Sequence, residues 1–254
     1  ARFDQNFNSQ PNYIAKIGQP MGMIYGYIYE GTYKYDDFDK SGSSYTLKGN
    51  IPHYVSESNT QPGMPKYKDL NGDGVIDTND RTMIGRGLPI HTGGFTNNFE
   101  YKGFDLSVFF QWSYGNDVLN ANRLFFDSGF QKKRELNQYA SYTDRWTPEN
   151  PNSNIPAATN SSSNLVISSR VVEDASFLRL KTVTLGYTVP KTFLKKYKID
   201  NARLYVAAQN LWTITGYSGY DPEVSIRSGG LTPGLDFSSY PRALSVSFGI
   251  NLGF

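Results

Sequence analysis

The last twelve residues, Ala243 to Phe254, constrain the fold more than any other stretch; they read ALSVSFGINLGF. Leu244, Val246, Phe248, Ile250, Leu252 and Phe254 share one parity, and Ala243, Ser245, Ser247, Gly249, Asn251 and Gly253 share the other. That period of two is the period of a β-strand, whose successive side chains point to opposite faces. One face is wholly apolar and the other is small or polar. Strands in soluble folds average about five or six residues. A strand that crosses a bilayer needs about 9–11, with lipid-facing and lumen-facing side chains in alternation. Length and alternation together favour a transmembrane barrel over a soluble β protein.

Composition narrows the setting further. The 254 residues leave room for one domain or two, and contain no cysteine, so neither a disulfide framework nor a thiolate metal site exists. A net charge of +2 is too balanced for a nucleic-acid partner. With 19 Tyr and 16 Phe in a chain only 38% hydrophobic, the aromatic content suits a barrel with interfacial girdles, and equally a sugar-binding β protein. No apolar run reaches the ~18 residues of a membrane-spanning helix, a test to which barrels are blind. The chain opens on ARFDQNFNSQ, without Met or a signal peptide.

Residues 1–20 read as loop with one short element. Met21 to Tyr33 is dense in β-formers and reads as one strand. From Lys34 to Thr92 no period is sustained, and a loop this long is expected to be functional or anchored. Gly93–Tyr101 and Phe104–Tyr114 form a hairpin around Lys102 and Gly103. Residues 116–170 are a second excursion, helical over Asp117–Phe126 and then rich in Pro, Asn and Ser, with an Asn160 sequon that carries no weight. Phe177–Val189 is a strand whose apolar parity flips between Leu180 and Val183; a bulge or a strand end leaving the bilayer explains the flip. Pro190–Asn201 is a short basic connection with a helical turn. Ala202–Thr213 is a further strand, and Gly216–Pro241 a third long loop.

Short and long connections alternate, as at the two rims of an outer-membrane barrel. About six or seven strands are readable, whereas a closed single-chain bacterial barrel has an even number from about eight upward. The simpler expectation is part of a larger barrel.

Six stretches carry a closer resemblance. They are GQPMGMIYGYIYEGTY (18–33), YKDLNGDGVIDTNDRTMIGRGLPIHTGGFTNNFEYKGFDLSVFFQWSYGNDVLNAN (67–122), DRWTPENPNSNIP (144–156), DASFLRLKTVTLGYTVP (174–190), ARLYVAAQNLWTITGYSGYDPEV (202–224) and GLDFSSYPRALSVSFGINLGF (234–254). In this order they resemble the C-terminal portion of SusC/RagA-type TonB-dependent outer-membrane transporters, and the terminal Phe resembles the targeting signal of outer-membrane barrels. The resemblance implies an all-β fold: the last strands of an antiparallel transmembrane barrel of about 22 strands, with long extracellular loops. Residues 1–254 would then be barrel without the plug and the first strands. The whole would sit in the outer membrane of a Gram-negative bacterium, bathed in lipid. Implied partners are the remaining N-terminal barrel and plug, TonB acting through that plug, a SusD-like surface lipoprotein, and a glycan or peptide substrate.

The sharpest chemical motif lies within the 34–92 loop, read as extracellular. Asp69, Asn71, Asp73, Val75 through its backbone carbonyl, Asp77 and Asp80 stand at positions 1, 3, 5, 7, 9 and 12 of an EF-hand-type loop, with Gly74 at the sharp turn. Four carboxylates and an amide within twelve residues repel one another unless a cation gathers them, so Ca²⁺ in a structural role is expected. Asp80 stands where EF-hands carry Glu and has the shorter reach, as in dockerin-like loops. Ile76 is placed to pin the loop to an apolar surface. The alternative is an Asx-rich turn without metal.

No catalytic constellation is present, so no enzyme is expected. His53 and His91 are lone histidines in loops. Asp221 and Glu223 flank Pro222 and read as loop structure rather than an acid–base pair. Loop aromatics (Tyr114, Phe125, Phe126, Trp146, Tyr217, Tyr220, Phe237 and Tyr240) suit sugar stacking, girdle or loop core alike. Two functions therefore stand: the wall and loops of an importer, or a soluble carbohydrate-binding module with a structural calcium loop.

Overall fold

The structure is a computed structural model that describes residues 4–7, 10–128, 137–159, 164–227 and 229–254; the Asn160 sequon and parts of the 116–170 excursion lie outside these. Contacts divide the chain into two units. One comprises Ala1–Leu88, Asp117–Glu173 and Val224–Ser239, the other Pro89–Asn116, Asp174–Glu223 and Tyr240–Phe254.

The first unit is a set of short strands. β1 (Asp4–Phe7), β2 (Gln10–Ile14), β3 (Met23–Gly26), β4 (Tyr29–Thr32), β5 (Phe38–Ser41), β6 (Ser44–Leu47), β7 (Pro65–Tyr67) and β8 (Thr82–Arg86) come first. β1, β2, β3 and β8 form one antiparallel sheet, β4 pairs with β7, and β5 with β6. The stretch 21–33, expected as one strand, is two. β3 and β4 serve different sheets because the chain leaves the first at Tyr27, whose N–H donates to the Ile167 carbonyl at 3.1 Å. Gly26 permits this approach: a Cβ there would stand 2.5 Å from the Ile167 oxygen.

The 34–92 stretch is also more ordered than its missing period suggests. Strands of three to five residues, β5 to β8, are too short to show one. Their cores are small and aromatic: Tyr33, Phe38 and Leu47 in one, Tyr27, Tyr67, Ile76 and Val166 in another.

The second unit is a single antiparallel sheet. Its strands are β9 (His91–Tyr101), β10 (Phe104–Tyr114), β13 (Phe177–Thr188), β14 (Asn201–Thr215) and β16 (Ser245–Gly253), ordered β16-β14-β13-β10-β9. They run 11, 11, 12, 15 and 9 residues, the span a bilayer crossing requires. β9 and β10 join through Lys102 and Gly103, both at positive φ (47° and 85°), as the twist of a two-residue hairpin turn demands.

The remaining strands and one short helix belong to the first unit, save for Asp174 at the end of one strand. β11 (Asp117–Asn120) lies between β12 (Val172–Asp174) and β15 (Leu235–Asp236). The expected helix over 117–126 starts late. Asp117–Asn120 is strand, and α1 (Ala121–Phe126) begins where the Asn120 side chain accepts from the Arg123 N–H at 3.4 Å. α1 and β15 contribute to the largest core, with Tyr13, Ile24, Leu119, Leu124, Ile167 and Leu235. In the second unit, α2 (Lys191–Leu194) turns the chain from β13 to β14.

The parity flip in β13 is a bulge. Phe109 faces Thr182 and Phe110 faces Leu180, leaving Lys181 as the extra residue. β14 answers with its own irregularity: Leu180 faces Trp212 while Thr182 faces Gln209. Asn210 between them adopts φ 53°, a left-handed conformation that Asn tolerates better than most side chains.

Candidate functional site: a two-faced sheet and an acidic loop

Pairing carries the alternation of each strand across the whole sheet. One row runs Phe99, Leu106, Leu185, Val206, Phe248, and the next Tyr101, Phe104, Tyr187, Leu204, Ile250. These rows share the face on which Phe248 is 82% exposed and Ile250 65% exposed. Tyr101, Phe104, Leu185, Leu204, Trp212, Val246, Leu252 and Phe254 are exposed too. A continuous apolar surface on this scale marks an interaction surface for lipid or protein. It argues against the soluble carbohydrate module, whose solubility it would undermine.

The opposite face is polar and ion-paired. Arg203 of β14 reaches across β13 to Asp105 of β10, with Nε donating to Oδ1 at 3.0 Å and Nη2 bonding Oδ2. Gly186, directly between them, leaves the pair its passage; a Cβ there would strike both groups.

Nearer the other end, Arg179 of β13 is 3% exposed. Its Nη2 donates to Asp221 Oδ1 at 2.7 Å, and its Nη1 stands 2.7 Å from Glu223 Oε2. Lys181 and Arg242 each approach Glu223 at 3.5 Å, and Gln111 Nε2 donates to it at 3.4 Å. Burial raises the Asp221 carboxyl, but Arg179 and the amides of Glu223 and Arg242 outweigh it and hold the carboxyl below the usual range. The Asp221-Pro222-Glu223 segment is therefore loop structure, as its sequence suggests, and a particular one: it clamps the loop after β14 onto the sheet. The readable signal was Arg179 itself, a cation on the polar parity of a long strand.

The acidic loop belongs to the first unit. Asp69 accepts from the Gly72 N–H at 2.6 Å and the Gly74 N–H at 2.8 Å. The Gly74 amide above all holds its carboxyl below the usual range. Asn71 accepts from Asp73 N–H, Asp73 from Val75 N–H, and Asp77 from Asn79 N–H. Gly72 and Gly74 sit at φ 79° and 83°, where a side chain would be strained. Asp80 is fully buried. Its Oδ1 takes the Leu70 and Asn71 amides and its Oδ2 the Asp77 amide. Ile76 is buried among Tyr27, Tyr67 and Val166, so it does pin the loop. Its N–H donates to the His53 carbonyl, and the His53 N–H to the Gly74 carbonyl. Among the described residues, no group of three or more carboxylates or imidazoles gathers as a metal centre would require.

Other singled-out residues separate by environment. Trp146 and Tyr217 are buried, Phe125 packs on Phe237 at 5.2 Å, and Tyr220 and Tyr240 are exposed. His91 stacks on Tyr114 and accepts from the Trp112 indole N–H at 3.2 Å.

No protein-family model matches the chain. Comparison with individual proteins is informative. It is 36% identical to TonB-dependent receptor P3 of Formosa agariphila over 254 residues, covering 98% of this chain and 24% of that protein. It is 28% identical to TonB-dependent receptor SusC of Bacteroides thetaiotaomicron over 201 residues, covering 79% of this chain and 18% of that protein. A solved structure of the RagAB peptide transporter matches with a TM-score of 0.68 at 27% identity, covering 96% of this chain and 24% of that chain. The chain thus spans about a fifth to a quarter of the length of these relatives. They are receptors and transporters, not enzymes.

Proposed function

We infer that this chain, a relative of the SusC/RagA-type TonB-dependent receptors over nearly its whole length, supplies part of the barrel wall and loops of an outer-membrane importer. The apolar face of the five-stranded sheet carries this reading. A surface that a soluble protein must bury is, in a barrel, the surface that lipid solvates. The opposite face, with its Asp105–Arg203 pair, then lines the lumen. The clamp on Arg179 holds a loop against that lining.

In the full assembly, a barrel of about 22 strands would close on strands beyond β9 and β16. A plug would couple it to TonB, and a SusD-like lipoprotein would cap it over a peptide or oligosaccharide. The relatives' names support this: one is SusC, and another is a peptide transporter. Membrane fractionation of a cell expressing the full receptor tests it. The expected result is recovery in the outer membrane, release only by detergent, and uptake of labelled peptide or oligosaccharide that stops without TonB. Recovery in the soluble fraction would overturn it.

The acidic loop is read as a calcium site. Its donors are all oxygen, its spacing is that of a calcium loop, and Gly74 supplies the turn. Asp69, Asn71, Asp73, the Val75 carbonyl, Asp77 and Asp80 would hold the ion, which would lock the loop. Asp80 would have to give up at least one of its amides. Calorimetry of the detergent-solubilised receptor, chelated and then titrated with Ca²⁺, is expected to show binding that Asp73→Asn weakens. No heat at millimolar Ca²⁺ would overturn the assignment.

A further inference from the structure

One end of the five-stranded sheet is built differently from the rest of its surface. The short connections gather there: the Lys102-Gly103 turn, the α2 turn from Pro190 to Asp200, and the last residues of β16. Backbone bonds tie them together. Thr188 N–H donates to the Gly103 carbonyl at 2.8 Å, and Asp200 N–H to the Gly253 carbonyl at 2.8 Å.

Two cavities meet at this rim and share Phe104. A groove of about 320 Å³ lies on the apolar face, lined by Phe104, Leu185, Tyr187, Leu204, Val206 and Phe248. A second cavity, of about 340 Å³, wraps the turn and is lined by Glu100, Tyr101, Lys102, Phe104, Asp105 and Thr188. The groove opens on the apolar face, whereas Glu100, Asp105 and Thr188 of the second cavity belong to the polar parity, so the two flank the turn from opposite faces.

The charge along the connections at this rim is mostly of one sign. Lys102, Lys191, Lys195, Lys196 and Lys198 are all exposed at this rim. The acids at the same end of the sheet are Glu100, Asp200 and Asp105, the last paired with Arg203. Among the lysines stand Phe193 and Tyr197, 68% and 66% exposed. Exposed aromatics beside lysines are the side chains that settle at a membrane–water interface.

We propose that this rim is a binding site for an anionic phospholipid, one acyl chain lying in the Phe104–Phe248 groove and the phosphate held by Lys102 and the α2 lysines. The groove opens on the apolar face at the rim that carries the lysines, as a phospholipid's acyl chain extends from its phosphate. Lysines near an anionic surface are attracted to it, so five of them set against the unpaired acids favour an anionic over a zwitterionic headgroup. The proposal rests on the membrane reading above, which supplies lipid to this face.

Native mass spectrometry of the full receptor, released from detergent with phosphatidylglycerol or phosphatidylcholine, tests it. The expected result is retention of phosphatidylglycerol at least tenfold tighter than phosphatidylcholine. The preference should fall to near parity in the K102Q/K191Q/K195Q/K196Q/K198Q variant, and Leu204→Trp, which fills the groove, should weaken both lipids. Inorganic phosphate at equal concentration should not displace the lipid; displacement would overturn the phospholipid assignment in favour of a simple anion site. Equal retention of both lipids, unchanged by the lysine substitutions, would overturn the proposal while leaving the barrel reading intact. Reconstitution into phosphatidylcholine vesicles separates the two: a receptor that does not enter them overturns both.

Discussion

Asp221 illustrates how much a single side chain organises. It lies 42 residues from Arg179 along the chain, yet the two form a buried ion pair at 2.7 Å. Removing one partner of such a pair strands the other charge and costs about 3–5 kcal/mol. Asp221→Ala is therefore expected to release the loop after β14, seen as faster amide exchange over residues 216–223. The pH dependence follows from the depressed folded carboxyl. As pH falls, the unfolded chain protonates first, so the pair contributes fully above the ordinary carboxylate range of about 4 and is lost as the pH drops toward its lower folded value. Exchange measured from pH 6 to pH 3 and corrected for intrinsic rate should show the loop opening at the acid end. Asp221→Asn should abolish that transition.

At the scale of the strand, everything depends on parity. Val206 and Ala207 are neighbours in β14, but Val206 pairs into the apolar row with Leu185 and Phe248, and Ala207 faces Thr184 and Ser247. Arginine on the lipid side of a barrel midplane costs about 2–4 kcal/mol, whereas lumen positions accept it. Val206→Arg should thus lower the yield of folded receptor in the outer membrane, and Ala207→Arg should not. Heat-modifiable mobility on gels, which separates folded from unfolded barrels, checks the contrast. The bulge at Lys181 is governed by the same rule. It lets Arg179 point to the polar face while Leu178 and Leu180 continue the apolar one, which strict alternation beyond Val183 would reverse.

At the scale of the molecule, the second unit is a sheet with two edges. Among the described residues β9 and β16 each pair on one side only. Unpaired backbone groups in hydrocarbon cost several kcal/mol each, so both edges call for further strands. The 254-residue chain expressed alone in detergent is expected to exchange its β9 and β16 amides rapidly. The same amides in the full receptor should be protected. Equal protection in both would show that these edges need no partner.

Whatever repeats locally was legible in the sequence. The last strand, the 93–114 hairpin, the strands near 177–189 and 202–213, and the alternation of short and long connections all follow from a period of two and from turn residues. So does the charge crowding of Asp69 to Asp80, a matter of spacing alone. Even the fault in β13 showed itself as a parity flip, although only pairing with β10 and β14 identified it as a bulge rather than a strand end. The tertiary structure decided the rest. Strands of three to five residues in the 34–92 stretch are too short to carry a period, and their order comes from aromatic contacts with Val166 and other distant residues. Asp105 and Arg203, 98 residues apart, are each an unremarkable charge until pairing across β13 brings them over Gly186. The closing strand stands between the two cases. Its two faces are written in its own alternation, but the continuous apolar wall they join exists only because hydrogen-bond register sets Phe248 beside Val206, Leu185, Leu106 and Phe99.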